Sequence, residues 1–363
     1  MSSRVAAAGM LHRYRNNIDM DFEMDFEQSH RFADVEGCPL HWIELGDSSA
    51  NPPVVLLHGL ADCHRTWKGL GTSLMCDRRV LIPDLPGHGL SGHPDASYEL
   101  GWYARITARW LEALHLDTVD VVGHSFGGGV AQAMLLDCPE RIRRLVLVSS
   151  GGLGREIALA LRLATIPGVV EWFGQPFMGP GTRIALKATD RMLSTEEIGA
   201  LSAMNARSGS ARAFARTVHG IIDWRGQRQS FFERASEVDR LPSIAAFWGD
   251  RDPIIPASHA QALVDCLEGV RVELFEGCGH YPHHEQPVAF LNALREFLVD
   301  PAVPRARLRS RLSPRLTASP AFAPGDTPLP PHELCFKSSR DGPQAEPRRG
   351  EDPIAQPPGL GAS

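Results

Sequence analysis

The stretch from Val119 to Gly129 constrains this chain more than any other. It reads Val-Asp-Val-Val-Gly-His-Ser-Phe-Gly-Gly-Gly and contains Gly-x-Ser-x-Gly centred on Ser125. An apolar, β-branched run, Val119 to Val122, leads into it, and a small-residue segment able to form a helix, Gly127 to Leu136, leaves it. A serine on a tight strand-to-helix turn is pushed out of the sheet, with its hydroxyl at a helix N-terminus. Such a turn strains the backbone at the serine, and neighbours without a Cβ relieve the crowding. The five-residue pattern alone describes an ordinary glycine-rich loop equally well. Its weight comes from the strand before it and the helix after it.

The chain has 363 residues, 43% hydrophobic and 22% charged, which suits one large domain with an insertion, or two domains. Its net charge of −6 argues against nucleic acid as a partner. The charge is uneven: from Pro301 onward there are 9 Lys/Arg and 6 Asp/Glu, so residues 1–300 carry −9. The seven cysteines, at 38, 63, 76, 138, 266, 278 and 335, form no Cys-x-x-Cys pair. Neither a disulfide framework nor a zinc site is suggested, and the expectation is free thiols in a reducing, cytoplasmic setting. No signal peptide is read at the N-terminus, where Arg13, Arg15 and the acidic run Asp19 to Glu27 follow a small apolar start. No uninterrupted apolar run reaches about 18 residues, so no stable membrane insertion is expected.

Residues 1–28 read as a flexible leader, with an edge strand able to begin where acids alternate with Met and Phe from Asp19 to Glu27. Arg31–Val35 and Leu40–Leu45 read as an antiparallel hairpin turning at Glu36-Gly37. Val54–Leu57 is a wholly apolar strand, as expected where helices cover both faces of a sheet. A helix is expected over Trp67–Met75, a strand over Arg79–Pro83, and a helix over Tyr98–His115 with Trp102, Ile106, Trp110, Leu111 and Leu114 on one side. After the serine turn comes a buried strand, Arg144–Ser149. Strands and helices alternate to this point, which argues for a parallel sheet. From Gly151 to Val238 there is no clear strand, only helical segments interrupted at Pro167, Pro176 and Gly179-Pro180-Gly181. The alternation resumes with a strand at Ile244–Trp248, a helix at Ala257–Leu267, a strand at Val270–Phe275 and a closing helix at Pro287–Leu298. The expected domains are therefore an α/β core over 29–150 and 239–300 and a helical insertion over 151–238. Thirteen of the 28 prolines fall in residues 301–363, and this Pro/Arg-rich tail is expected to be disordered.

Acyl transfer to a serine needs an exposed hydroxyl, a base, a group orienting that base, and donors for the oxyanion. Loops at the C-terminal ends of parallel strands converge on one site. Four such loops offer Ser125, Asp252 in Gly249-Asp250-Arg251-Asp252, His280 after the last strand, and His58-Gly59-Leu60 after an early one. Asp250 is the alternative orienting acid. A metal site at His280, His283 and His284 is a further alternative; no metal and no cofactor is expected. Trp172, Phe173, Phe177, Met178 and Trp224, with His58, are candidates for the wall of an apolar substrate pocket, or else the aromatics are the insertion's own core.

At this point the chain resembles the α/β-hydrolase-fold superfamily over roughly residues 30 to 300. The pieces that carry the resemblance stand in the family's order: His58-Gly59, Asp84-Leu85-Pro86-Gly87-His88-Gly89-Leu90-Ser91, Gly123-His124-Ser125-Phe126-Gly127-Gly128, Gly249-Asp250-Arg251-Asp252 and Gly279-His280. The resemblance implies a mostly parallel eight-stranded sheet flanked by helices, with 151–238 as a helical cap. It implies Ser125 as nucleophile, Asp252 as acid, His280 as base, and the N–H groups of Leu60 and Phe126 as oxyanion donors. Asp84 and His88 belong to a motif that is mostly structural. Serine at the turn disfavours the haloalkane dehalogenases and epoxide hydrolases, which carry aspartate there. A small apolar carboxylic ester or lactone is the expected substrate. The alternative is a carbon–carbon bond hydrolase of the meta-cleavage type, which Ser149-Ser150-Gly151-Gly152-Leu153-Gly154 resembles. Against it, the Gly-Pro-Gly stretch and following Asn of those enzymes are replaced by His58-Gly59-Leu60-Ala61-Asp62-Cys63-His64. A non-catalytic ligand-binding protein on the same fold is the third reading.

Overall fold

The computed structural model describes residues 26–47, 51–166 and 168–309, leaving Pro167 out. Eight strands form one sheet: β1 (His30–Val35), β2 (Cys38–Leu45), β3 (Val54–Leu57), β4 (Val80–Pro83), β5 (Val119–His124), β6 (Ile142–Val148), β7 (Ser243–Gly249) and β8 (Arg271–Phe275). Their spatial order is β1-β2-β4-β3-β5-β6-β7-β8. From β4 across to β8 every pairing is parallel, and β2 joins β1 and β4 antiparallel. The β1–β2 hairpin pairs Val35 with Cys38 and turns at Glu36 and Gly37, whose φ angles of 52° and 79° are those a two-residue hairpin turn requires.

The apolar strands read as continuous runs because each feeds two cores. In β3, Val55 and Leu57 face one core while Val54 and Leu56 face the other. Leu145 and Leu147 alternate with Val146 and Val148 in β6, as Ile244, Ala246 and Trp248 alternate with Ala245 and Phe247 in β7. Side chains alternate across a strand, so helices on both faces demand hydrophobes at every position. The first core is closed by helices α1 (Leu100–Ala113) and α2 (Phe126–Asp137). The second is closed by Trp67, Leu70 and Leu74 of the segment ending in helix Lys68–Leu74 and by Phe290, Leu294, Phe297 and Leu298 of α3 (Pro287–Val299). Each such side chain contributes about 1.5–3 kcal/mol by leaving water.

Between β6 and β7 lies a helical insertion with, among the described residues, six α-helices, Leu159–Leu163, Val169–Phe173, Gln175–Thr189, Thr195–Asn205, Ser210–Ile221 and Phe231–Arg234, and a 3-10 turn at Ala235–Glu237. Three sequence expectations are corrected here. Gly179-Pro180-Gly181 does not interrupt a helix; Pro180 lies inside Gln175–Thr189. Proline forfeits one backbone bond there, and packing against Thr195–Asn205 compensates, with the Ser202 hydroxyl donating to the Gly179 carbonyl at 2.9 Å. The insertion also contains strand: Ile222–Asp223 pairs with Gly226–Gln227. Finally, the tail does not lose order at Pro301. Arg307–Leu308 pairs with Leu267–Glu268, and Ala306 is buried in the first core. Residues 310–363 lie outside the described residues, as does most of the Asp19–Glu27 run, whose last members Phe26 and Glu27 begin a helical turn rather than a strand. Among the described residues no helix is long and apolar enough to cross a membrane.

Candidate active site

Ser125 sits between β5 and α2 with φ 51° and ψ −115°, in the left-handed region a side chain rarely occupies. Its backbone is clamped there. Its N–H donates to Val148 of β6 at 2.9 Å, and its carbonyl accepts from Gly151 at 3.1 Å. The two glycines of the motif are needed for close approach. A Cβ on Gly123 would lie 2.6 Å from the Gly127 carbonyl oxygen, and one on Gly127 would lie 2.5 Å from those of Leu57 and His58. The Gly-x-Ser-x-Gly pattern thus reports how tightly α2 is drawn onto β3 and β5. Phe126 is the first residue of α2, where N–H groups have no acceptor within the helix.

The loops after β7 and β8 are stitched together, Asp250 N–H to Phe275 and Arg251 N–H to Cys278. This brings Asp252 against His280. The Asp252 carboxylate accepts from His280 Nδ1 at 2.7 Å, and its other oxygen accepts from the N–H groups of Ile254 and Ile255 at 2.8 and 3.0 Å. Both side chains are buried. Asp250, the alternative acid, instead accepts from the Gly277 N–H at 2.6 Å at the exposed end of the loop. With Nδ1 spent on Asp252, His280 has Nε2 left. His124 joins the two halves of the site: its Nε2–H donates to the His280 carbonyl at 2.9 Å, and its ring centroid lies 4.8 Å from that of His280. Burial, reinforced by the neighbouring His280, holds the His124 pKa well below the ordinary histidine value, so His124 is neutral at physiological pH.

Leu60 lies in a turn closed by Asp62 N–H to the Gly59 carbonyl at 3.3 Å, with Ala61 at φ 57°. His58 shapes this turn rather than lining a pocket. It is fully buried, its Nδ1–H donates to the Gly59 carbonyl at 2.8 Å, and its Nε2 accepts from the Leu85 N–H at 2.9 Å. That pattern requires the neutral ring, and burial pushes its pKa down to about 3. Asn205 of the insertion donates to the Ala61 carbonyl at 2.6 Å, anchoring the same turn from above.

Asp84 is fully buried among polar partners. Its buried carboxylate accepts from the N–H groups of His64 and Leu90 at 2.7 and 2.8 Å and from the imidazoles of His41 and His64. Of the three histidines weighed as a metal alternative, His280 and His284 each face a carboxylate, Asp252 and Asp190. His284 is held by Asp190 at 2.5 Å and the Thr66 carbonyl at 2.8 Å, while His283 faces the Thr66 hydroxyl at 3.3 Å and stacks on Trp67. The aromatics expected as pocket wall or insertion core have another fate. Trp172, Phe173, Phe177 and Trp224 are 69–78% exposed, and Met178 is half-buried. Sequence reasoning passed over Asn205, Asp190, His41 and His64. Their partners lie 20 to 144 residues away, and no local pattern marks such pairs.

Over residues 52–287 the chain matches the profile of the alpha/beta hydrolase fold. It belongs to that family. An uncharacterized protein of Mycobacterium tuberculosis is 32% identical over 280 residues, 72% of this chain and 82% of that protein. A 2-hydroxymuconate semialdehyde hydrolase of Pseudomonas sp. (strain CF600) is 29% identical over 267 residues, 70% of this chain and 90% of that one. In fold, the chain is similar to the solved structure of an N-acyl homoserine lactone degrading enzyme, with TM-score 0.57 and 21% identity, covering 74% of this chain and 100% of the other. Fold and relatives together indicate a hydrolase.

Proposed function

We propose that this alpha/beta hydrolase cleaves small apolar carboxylic esters or lactones through an acyl-enzyme on Ser125. The observation that carries this reading is the conjunction of a strained, clamped Ser125 with a buried His280 whose Nδ1 is held by Asp252 at 2.7 Å. His280 Nε2 takes the Ser125 proton as Oγ attacks the acyl carbonyl. Asp252 fixes the ring and stabilises the imidazolium. The N–H groups of Leu60 and Phe126 hold the oxyanion. The intermediate collapses by breaking the C–O bond, and His280 gives its proton to the leaving alkoxide. Water, deprotonated by His280, then attacks the acyl-enzyme, releasing the acid and returning the proton to Ser125. Residues 151–238 act as the cap over this site, tied to it through Asn205 and Asp190. Cys38, Cys63, Cys76, Cys266 and Cys278 are free thiols, which supports a reducing, cytoplasmic setting.

Carbon–carbon bond hydrolysis is the second reading, favoured by the relative named for 2-hydroxymuconate semialdehyde hydrolysis. The His58–His64 loop speaks against it. A panel of p-nitrophenyl esters of increasing chain length, one lactone and one ring-cleavage dienoate separates the two. Ester or lactone turnover with the dienoate inert supports the first reading; dienoate cleavage dominating by kcat/KM replaces it with the second.

A further inference from the structure

Fourteen large hydrophobic side chains stand exposed among the described residues, and ten of them belong to the insertion. Eight fall between 159 and 184: Leu159, Leu163, Ile166, Val169, Trp172, Phe173, Phe177 and Ile184. Apart from the adjacent Trp172 and Phe173 they stand three, four or seven residues apart, seven of them on the helices Leu159–Leu163, Val169–Phe173 and Gln175–Thr189 and Ile166 between the first two. Scattered exposed hydrophobes are ordinary on a protein surface, but a run this dense marks an interaction surface.

The charge beside the run narrows the partner. Between residues 157 and 189 the only acid is Glu171, which is paired with Arg216 at 3.1 Å. Arg183 and Lys187 are exposed on the helix that carries Phe177 and Ile184, and Arg225 packs over exposed Trp224. The insertion as a whole carries 11 Lys/Arg and 8 Asp/Glu, whereas the rest of residues 1–300 carries 17 and 29. Within residues 1–300 most of the exposed large hydrophobes therefore fall in the segment with a positive balance, on an otherwise acidic body. Aromatic and aliphatic side chains flanked by Lys and Arg are the chemistry of an amphipathic element lying in an anionic lipid interface. A partner protein's apolar face would not require the positive flank. The acidic body would be repelled by the same anionic surface, which leaves the insertion as the side that approaches.

We infer that residues 159–189 dock the protein reversibly onto an anionic lipid surface, so that apolar acyl substrates reach it from the lipid phase. The docking itself does not depend on the proposed chemistry at Ser125. The test is flotation of the full chain with vesicles of phosphatidylglycerol and phosphatidylcholine against vesicles of phosphatidylcholine alone. The expected result is flotation with the anionic vesicles, weakened at least about tenfold in a Trp172→Ser/Phe173→Ser/Phe177→Ser variant of unchanged melting temperature. Arg183→Glu/Lys187→Glu is expected to remove the preference for anionic vesicles, and Ser125→Ala to float as the parent does. Absence of flotation, or flotation unchanged in the apolar variant, overturns the inference. So does a parent that sediments as a dimer which the apolar variant dissociates without any vesicle binding; the face would then join two copies of the chain.

Discussion

At Ser125 the side chain sits on a backbone held at φ 51° by bonds to β6 and to Gly151. Truncating it removes the proposed nucleophile but leaves those backbone bonds intact. Ser125→Ala is therefore expected to lower kcat by at least about a thousandfold with little change in melting temperature, read by ester hydrolysis and a thermal melt. Asp252→Asn keeps the two bonds from Ile254 and Ile255 but removes the charge facing Nδ1 of His280. A loss of about three to four orders of magnitude in kcat is expected, with KM nearly unchanged. Gly127→Ala behaves oppositely. Its Cβ meets main-chain oxygens at 2.5 Å, which only a backbone shift can relieve, so about 2–3 kcal/mol of stability should be lost, measured by chemical denaturation. The serine, the histidine and the glycines were legible in the sequence because each has a local signature. Asp252 over Asp250 was read from the resemblance alone, because what separates them is how the β7 and β8 loops cross-brace.

Among the elements, the insertion is tied to the core by a buried ion pair. Burial alone would lower the His284 pKa, but the bond to Asp190 outweighs it and holds the value above the usual 6.5. The stabilisation from this pair is therefore complete below about pH 6.5 and fades as pH rises through the higher folded value. Asp62, pushed from 3.8 up to about 6 by burial, acts in the same direction, since the fold favours its protonated form. His58 and His124, held neutral by burial, act in the opposite direction up to about pH 7, so the pair is read as the melting-temperature difference between the parent and Asp190→Asn, which is expected to shrink from about pH 6 to pH 8. Asp190→Asn should cost about 2 kcal/mol at the acid end and much less at the alkaline end. An unchanged pH profile in that variant would remove His284 from the account. Strand and helix positions were readable from periodicity, to within a few residues. The Pro180 helix and the short Ile222–Gln227 hairpin were not, because neighbouring helices override local propensity there.

At the scale of the molecule, the body extends past the closing helix. Ala306 and the Arg307–Leu308 strand finish the first core at its lower-numbered partner, Leu267. A chain ending at Asp300 is expected to melt about 3–6 °C below one ending at Arg309, the effect of about 1–2 kcal/mol in a domain of this size. Composition hid this order, because prolines begin at Pro301 while the burying residues, Ala306 and Leu308, are few. The exposed apolar run was equally invisible, since a hydrophobic helix face reads the same whether it meets a core, a ligand or a lipid. The proposed chemistry rests on Ser125 being made reactive by His280 and Asp252, and one measurement addresses that directly. The intact folded protein is treated with a fluorophosphonate, and the adduct is located by peptide mass spectrometry. A single phosphonyl group on Ser125, absent in Ser125→Ala and strongly slowed in His280→Ala, is the predicted result. A folded protein left unmodified at Ser125, or modified there at the same rate without His280, would contradict the account.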